Sequence, residues 1–216
     1  PDQVLFGDTH LHTAYSADAG LVGATTTPDD AYRFAKGQTV TSSNGIKARL
    51  QRPLDFLVVA DHAENLGLYI ALDEKSAILD GNEWAEGLRE VFASRSKQAM
   101  DESYVYWGNS MTSGGGDPMA DTALARTMWD RLTAAAEQHN EPGSFTALIG
   151  FEWSTAPAGN NLHRNVIFRD GKAAADQVLP FSAYDSQDPE KLWARMERYE
   201  TETGGQVLAI PHNGNL

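Results

Sequence analysis

Five short apolar runs punctuate the chain, and each of them borders side chains able to bind protons or metal ions. Val4-Leu5-Phe6 passes into Gly7-Asp8-Thr9-His10-Leu11-His12, which predicts a strand followed at once by polar groups. Leu54 to Ala60 is a nearly continuous apolar run, the pattern of a strand covered on both faces, and it ends in Asp61-His62. Phe145 to Trp153 predicts a third strand finishing on a carboxylate, Glu152. Asn165-Val166-Ile167-Phe168 predicts a fourth, entered directly after His163, and Gln206 to Ile210 a fifth leading to Pro211-His212. Between them lie helical patterns. Thr27 as N-cap, Pro28 at the first helical position and Asp29-Asp30 in the first turn open a helix that stops near Gly37. Residues 38–50 read as a loop or small hairpin. Residues 64–120 read as a helical and loop insertion, broken around Asp80-Gly81-Asn82 and ending in the glycine-rich turn Ser113 to Asp117. Leu124, Met128, Leu132 and Ala135 mark one face of a helix ending near His139, and Asp188-Pro189 opens another that Gly204-Gly205 stops. Alternation of strand and helix predicts an α/β fold with a mainly parallel sheet, open or closed into a barrel.

The chain has 216 residues, enough for one sizeable core, so a single domain over residues 1–216 is expected. Its formal net charge of -13 makes a general nucleic-acid backbone-binding surface a poor expectation, so large nucleic acids are not expected partners. The absence of cysteine removes disulfides, thiolate zinc sites and cysteine nucleophiles, leaving His, Asp and Glu as the only metal ligands. No run approaches the length of a membrane span. Residue 1 is not methionine, so a removed signal is compatible with the sequence. The compartment stays open between bacterial periplasm and cytoplasm, with the periplasm preferred.

The placement of the histidines carries the functional reading. Of six, His10, His12, His62 and His212 follow or close an apolar strand and His163 precedes one. In parallel α/β folds the strand C-termini and the loops after them gather residues distant in sequence. His10 and His12, two apart on extended backbone, point to the same side and can reach one cation. Asp18, six residues past His12, can return to a second ion through a tight turn, or can simply bond backbone amides there. His62 is an expected ligand, and Asp61 is either a ligand or the acceptor that orients an imidazole. Glu152 stands where the surroundings are too apolar to leave it unpaired, and a role bridging metals is preferred to an arginine pair. His163 and His212 complete the expected set. His139, at a helix end, is read as solvent-side.

In this order, Asp8-Thr9-His10-Leu11-His12, Asp18, Asp61-His62, Glu152, His163 and His212 resemble the metal site of the polymerase and histidinol phosphatase (PHP) superfamily. Within it, Phe6 to Thr13, Pro28 to Ala35, Pro53 to Phe56 and Asn160 to Asn165 are similar to the domain-of-unknown-function 3604 family, over essentially the whole chain. The resemblance implies a distorted (βα)7 TIM-type barrel, incomplete in this chain, holding two or three divalent ions (zinc, manganese or iron) and hydrolysing phosphoesters with a metal-activated water. The superfamily's late Asp-x-His has no counterpart before Leu216, so a longer protein carrying the final ligands beyond that residue is expected.

On this reading the substrate is a small phosphomonoester, phosphodiester or phosphonate. Arg164, whose fork suits a phosphoryl group, Asn161 and Asn213 are candidates to hold its oxygens, and Asp61 or His212 to act as general acid or base. A structural ion pair is an equal reading of Arg164. An amidohydrolase-type enzyme is the main alternative, but it calls for a lysine at a middle strand end, and none stands there. A non-catalytic module braced by metal is the other.

Overall fold

The computed structural model describes residues 3–113 and 116–212. Its strands are β1 (Gly7–Leu11), β2 (Val40–Thr41), β3 (Lys47–Ala48), β4 (Phe56–Val59), β5 (Thr146–Thr155), β6 (Leu162–Phe168) and β7 (Val207–His212). Its helices are α1 (Ala17–Gly20), α2 (Pro28–Ala35), α3 (Leu68–Asp73), α4 (Glu83–Phe92), α5 (Lys97–Thr112), α6 (Leu124–His139), α7 (Lys172–Ala175) and α8 (Pro189–Thr203). β2 and β3 form a small separate hairpin, and the rest make one sheet in the order β1-β4-β5-β6-β7.

That sheet corrects the expected architecture. β1, β4 and β5 run parallel, but β6 and β7 are antiparallel to their neighbours. The sheet is therefore mixed, a curled five-stranded half-barrel rather than a (βα)7 barrel. The reversal at β6 has a local cause. Only residues 156–161, with one 3₁₀ turn, separate β5 from β6, too few for the crossover that a parallel neighbour needs.

Curling brings the two edges together. The Asn165 side-chain amide on β6 donates to the Thr9 carbonyl on β1 at 2.8 Å, and the rings of His10 and His212, from the first and last strands, lie 3.9 Å apart. The first strand also differs from expectation. Val4, Leu5 and Phe6 are exposed and lie ahead of β1, whose pairing starts at Gly7 opposite Phe56. A Cβ on Gly7 would come within 2.4 Å of the Phe56 ring and carbonyl, so the close approach of β1 to β4 requires glycine.

Side-chain alternation divides the sheet into two faces. Leu57, Val59, Ile149, Phe151, Trp153, Val166 and Phe168 join the large core that α2, α6 and α8 cover. Val58, Ala60 and Ile167 form a much smaller apolar cluster on the other face, with Leu148 and Ile210 against it. Residues 64–120 supply α3, α4 and α5. Leu79, Leu88 and Trp107 from this stretch are buried in the large core. His139 is also buried: its Nε2 lies 2.7 Å from an Asp29 oxygen and its ring stacks on Tyr32, so the solvent-side reading is corrected. The last turn of α6 turns the same face inward as Leu132 and Ala136, which places His139 in the core.

Candidate metal centre

Period-two alternation along β5 turns Glu152 and Ser154 to the inner face. Their register partners on β6, Asn165 and His163, point the same way, as does His212, the partner of His163 on β7. β4 ends at Val59, but a single parallel bridge between His62 and Glu152 prolongs its line, setting His62 beside the carboxylate. β1 brings His10 and His12, and the turn into α1 brings Asp18. Six segments thus deliver seven ligand-type side chains to one end of the sheet.

Glu152 is at the centre and almost wholly buried, 1% exposed. Its Oε2 lies 2.9 Å from His10 Nε2 and 2.8 Å from His12 Nε2. Its Oε1 lies 2.6 Å from His163 Nδ1 and 3.2 Å from His212 Nε2, and accepts from the Ser154 hydroxyl at 3.0 Å. Asp18 forms a second focus. Its carboxylate lies 3.2 Å from His12 Nδ1 and 3.3 Å from His62 Nε2, and accepts from the Ser16 hydroxyl at 2.6 Å. Three overlapping sets of ligand atoms are each compact enough for one ion: His10, His12 and Glu152; His12, Asp18 and His62; and His62, Glu152 and His163.

The electrostatics favour positive charge in this cluster. Burial alone would raise the Asp18 and Glu152 carboxyls, but hydrogen bonds from His12 and His62 to Asp18, and from His12 and His163 to Glu152, hold both well below the usual range. Burial likewise works against the His12 cation, yet Asp18 and Glu152 lift this imidazole to about 9. His62 is also raised, with Asp18 and Glu64 outweighing its burial. His212 is lowered by burial and by the neighbouring His10 and His163, although Glu152 pulls the other way. Among the described residues no lysine or arginine pairs with Glu152 or Asp18. Positive charge must come from imidazolium or from bound cations. The donor set, five imidazoles and two carboxylates, suits zinc, manganese and iron. His212 Nδ1 is buried and without a hydrogen-bond partner, an unmet polar group at the rim of this set.

The expected ligands His10, His12, Asp18, His62, Glu152, His163 and His212 are therefore brought together. The other expected site residues are not. Asp61 is fully buried and directs both oxygens at Thr13, accepting from its backbone N–H at 2.5 Å and its hydroxyl at 2.7 Å. Burial raises its carboxyl to about 6 against the pull of those bonds. With both oxygens taken up by Thr13, it ties down the segment after β1. Arg164 pairs in register with Trp153, so alternation sends it to the face opposite Glu152, and its guanidinium donates to the His163 carbonyl at 2.7 Å. Asn161, half-buried, precedes β6 by one residue, and Asn213 lies outside the described residues. Sequence reasoning missed Ser16, Ser154 and Glu64. Ser154 was accessible to it as the next inward position after Glu152, whereas nothing local marks Ser16.

Family models place the chain. It belongs to the family described as a protein of unknown function (DUF3604), whose model matches residues 1–216. No curated protein and no solved structure matches it. The wider superfamily expectation is corrected accordingly: DUF3604 is the family that matches, no PHP family model does, and the sheet is a mixed half-barrel. Among the described residues no helix is long and apolar enough to cross a membrane.

Proposed function

We propose that this chain is the metal-binding part of a hydrolase acting on small phosphorylated or phosphonate substrates, with divalent ions bridged by Glu152. One observation carries this reading: each oxygen of a single buried carboxylate faces its own pair of imidazole nitrogens, His10 and His12 on Oε2, His163 and His212 on Oε1. Two His nitrogens and one oxygen of the shared carboxylate would leave positions free at an ion held there, the composition of a catalytic rather than a closed structural site. Divalent ions held by these residues would supply Lewis acidity and lower the pKa of a bound water. The chain's residues do the rest. Glu152 fixes the separation of the two imidazole pairs, and Asp18 holds His12 by its Nδ1 and leaves Nε2 facing inward. His10, with its side chain 39% exposed, marks the side open to substrate. Arg164 lies on the other face, so charge on a phosphoryl group is met by the cations.

The test is elemental analysis of the purified protein, followed by hydrolysis of bis-p-nitrophenyl phosphate and p-nitrophenyl phosphate after chelation and return of manganese or zinc. Two or more tightly held ions, with turnover abolished in His10→Ala and Glu152→Ala, establish the hydrolase and its preference for diester or monoester. Ions that bind without turnover leave a metal-braced binding module as the better reading.

A further inference from the structure

Behind the ligands stands a fully buried acid that the metal reading does not use. Glu64 lies two residues past His62 and is 0% exposed. Its Oε1 accepts from the backbone N–H of Ala183 at 2.7 Å and from that of Ser154 at 3.4 Å. Its Oε2 has no hydrogen-bond partner and lies 3.5 Å from His62 Nδ1, its one ion-pair neighbour among the described residues. An unshared carboxylate oxygen at this depth is costly unless a cation or a directed proton faces it.

The proton inventory of Ser154 says which it is. Its hydroxyl has one hydrogen and sits 2.6 Å from His62 Nδ1 and 3.0 Å from Glu152 Oε1. Glu152 as a carboxylate only accepts, so the hydroxyl donates to it and must accept from His62. Nδ1 of His62 therefore carries a proton and cannot ligate, and the lone pair is at Nε2, which faces Asp18 at 3.3 Å.

We propose that Glu64 and Ser154 are positioning residues for His62: they fix its Nδ1–H tautomer and so commit Nε2 to an ion shared with Asp18, excluding His62 from the Glu152–His163 set. The proposal rests on the metal reading above. It also gives the loop around Ala183 a connection to the site. Glu64 joins that loop to His62, and the Tyr184 hydroxyl secures the same loop on Asn65, the neighbour of Glu64, at 2.9 Å.

The experiment uses the full chain loaded with zinc, with long-range ¹H–¹⁵N correlation of the histidine rings and zinc titration against a chromophoric chelator. The wild type should show His62 ligated through Nε2 with a proton on Nδ1. In Glu64→Gln the amide carbonyl can keep the Ala183 bond while its NH₂ confronts Nδ1–H. That variant should lose 10–100-fold in affinity for one ion, the effect typical of removing an outer partner of a ligating histidine, with the remaining ions unchanged. Ser154→Ala, which leaves Glu64 in place, should weaken the same ion and blur the His62 tautomer. Ligation of His62 through Nδ1, or affinities in both variants within twofold of the wild type, overturns the proposal while leaving the metal centre standing. A wild-type chain that binds no ion overturns both.

Discussion

At the scale of single residues, two buried acids, Asp61 just past the end of β4 and Glu152 within β5, show how environment assigns different work to the same chemical group. Glu152 presents both oxygens to imidazoles, whereas Asp61 presents both to Thr13. One stands among imidazoles, the other ties down backbone. Asn in place of Asp61 keeps the shape but turns an NH₂ group toward one of the Thr13 donors, leaving buried donors unmatched. Asp61→Asn should lower unfolding stability by about 1–3 kcal/mol, the usual cost of such a mismatch. Urea unfolding of the wild type and the variant reads this directly. An unchanged midpoint combined with lost activity would instead return Asp61 to the chemistry.

Elements owe their limits to a few local signals, and α2 shows how such a signal works. Thr27 accepts from the Asp30 N–H while the Asp30 carboxylate accepts from the Thr27 N–H, a reciprocal capping box with Pro28 in the first turn. Thr27→Ala should cost about 1 kcal/mol of stability and leave the bound metal content unchanged. Thermal melting with elemental analysis of the same sample checks both halves, and a loss of metal would tie α2 to the site. This helix was legible in the sequence because its cap, proline and first-turn acids are adjacent residues. The cluster of histidines and carboxylates was legible for a related reason: His62 and Glu152 close apolar runs, and strand ends are where such folds gather function. What was not legible is non-local. No property of Leu162 to Phe168 states that β6 runs antiparallel, since that follows from the shortness of the link to β5. The inward turn of Glu64 depends on Ala183 and Ser154, 119 and 90 positions away. Arg164, beside His163 in sequence, falls on the opposite face of the strand for that same reason.

On the scale of the whole molecule, the cluster is also where the fold is joined. His10 and His12 come from one edge strand, His212 from the other, and Glu152 from the middle of the sheet. Opposite this end, among the described residues, the inner face has a small cluster around Val58, Ala60 and Ile167, so apolar packing there contributes little to keeping the edges close. Cations bound at the cluster would link β1 to β7 through shared ligands, and their binding energy would then count toward folding. Mass action gives about 2.7 kcal/mol when free ion is at roughly a hundred times its dissociation constant. Chelation should therefore lower the melting temperature, and returning zinc or manganese should restore it in proportion to free ion. The sign of the pH effect follows from the same ligands. An imidazole must be unprotonated at its binding nitrogen, so protons compete with metal and the stabilisation should fade as pH falls. Glu152→Gln should show a much smaller chelator-dependent shift than the wild type, because the carboxylate joining the β1 and β7 histidines is gone while the His62–Asp18 position is left. A chelator-dependent shift of wild-type size in that variant would mean that the edges are held by ions bound elsewhere.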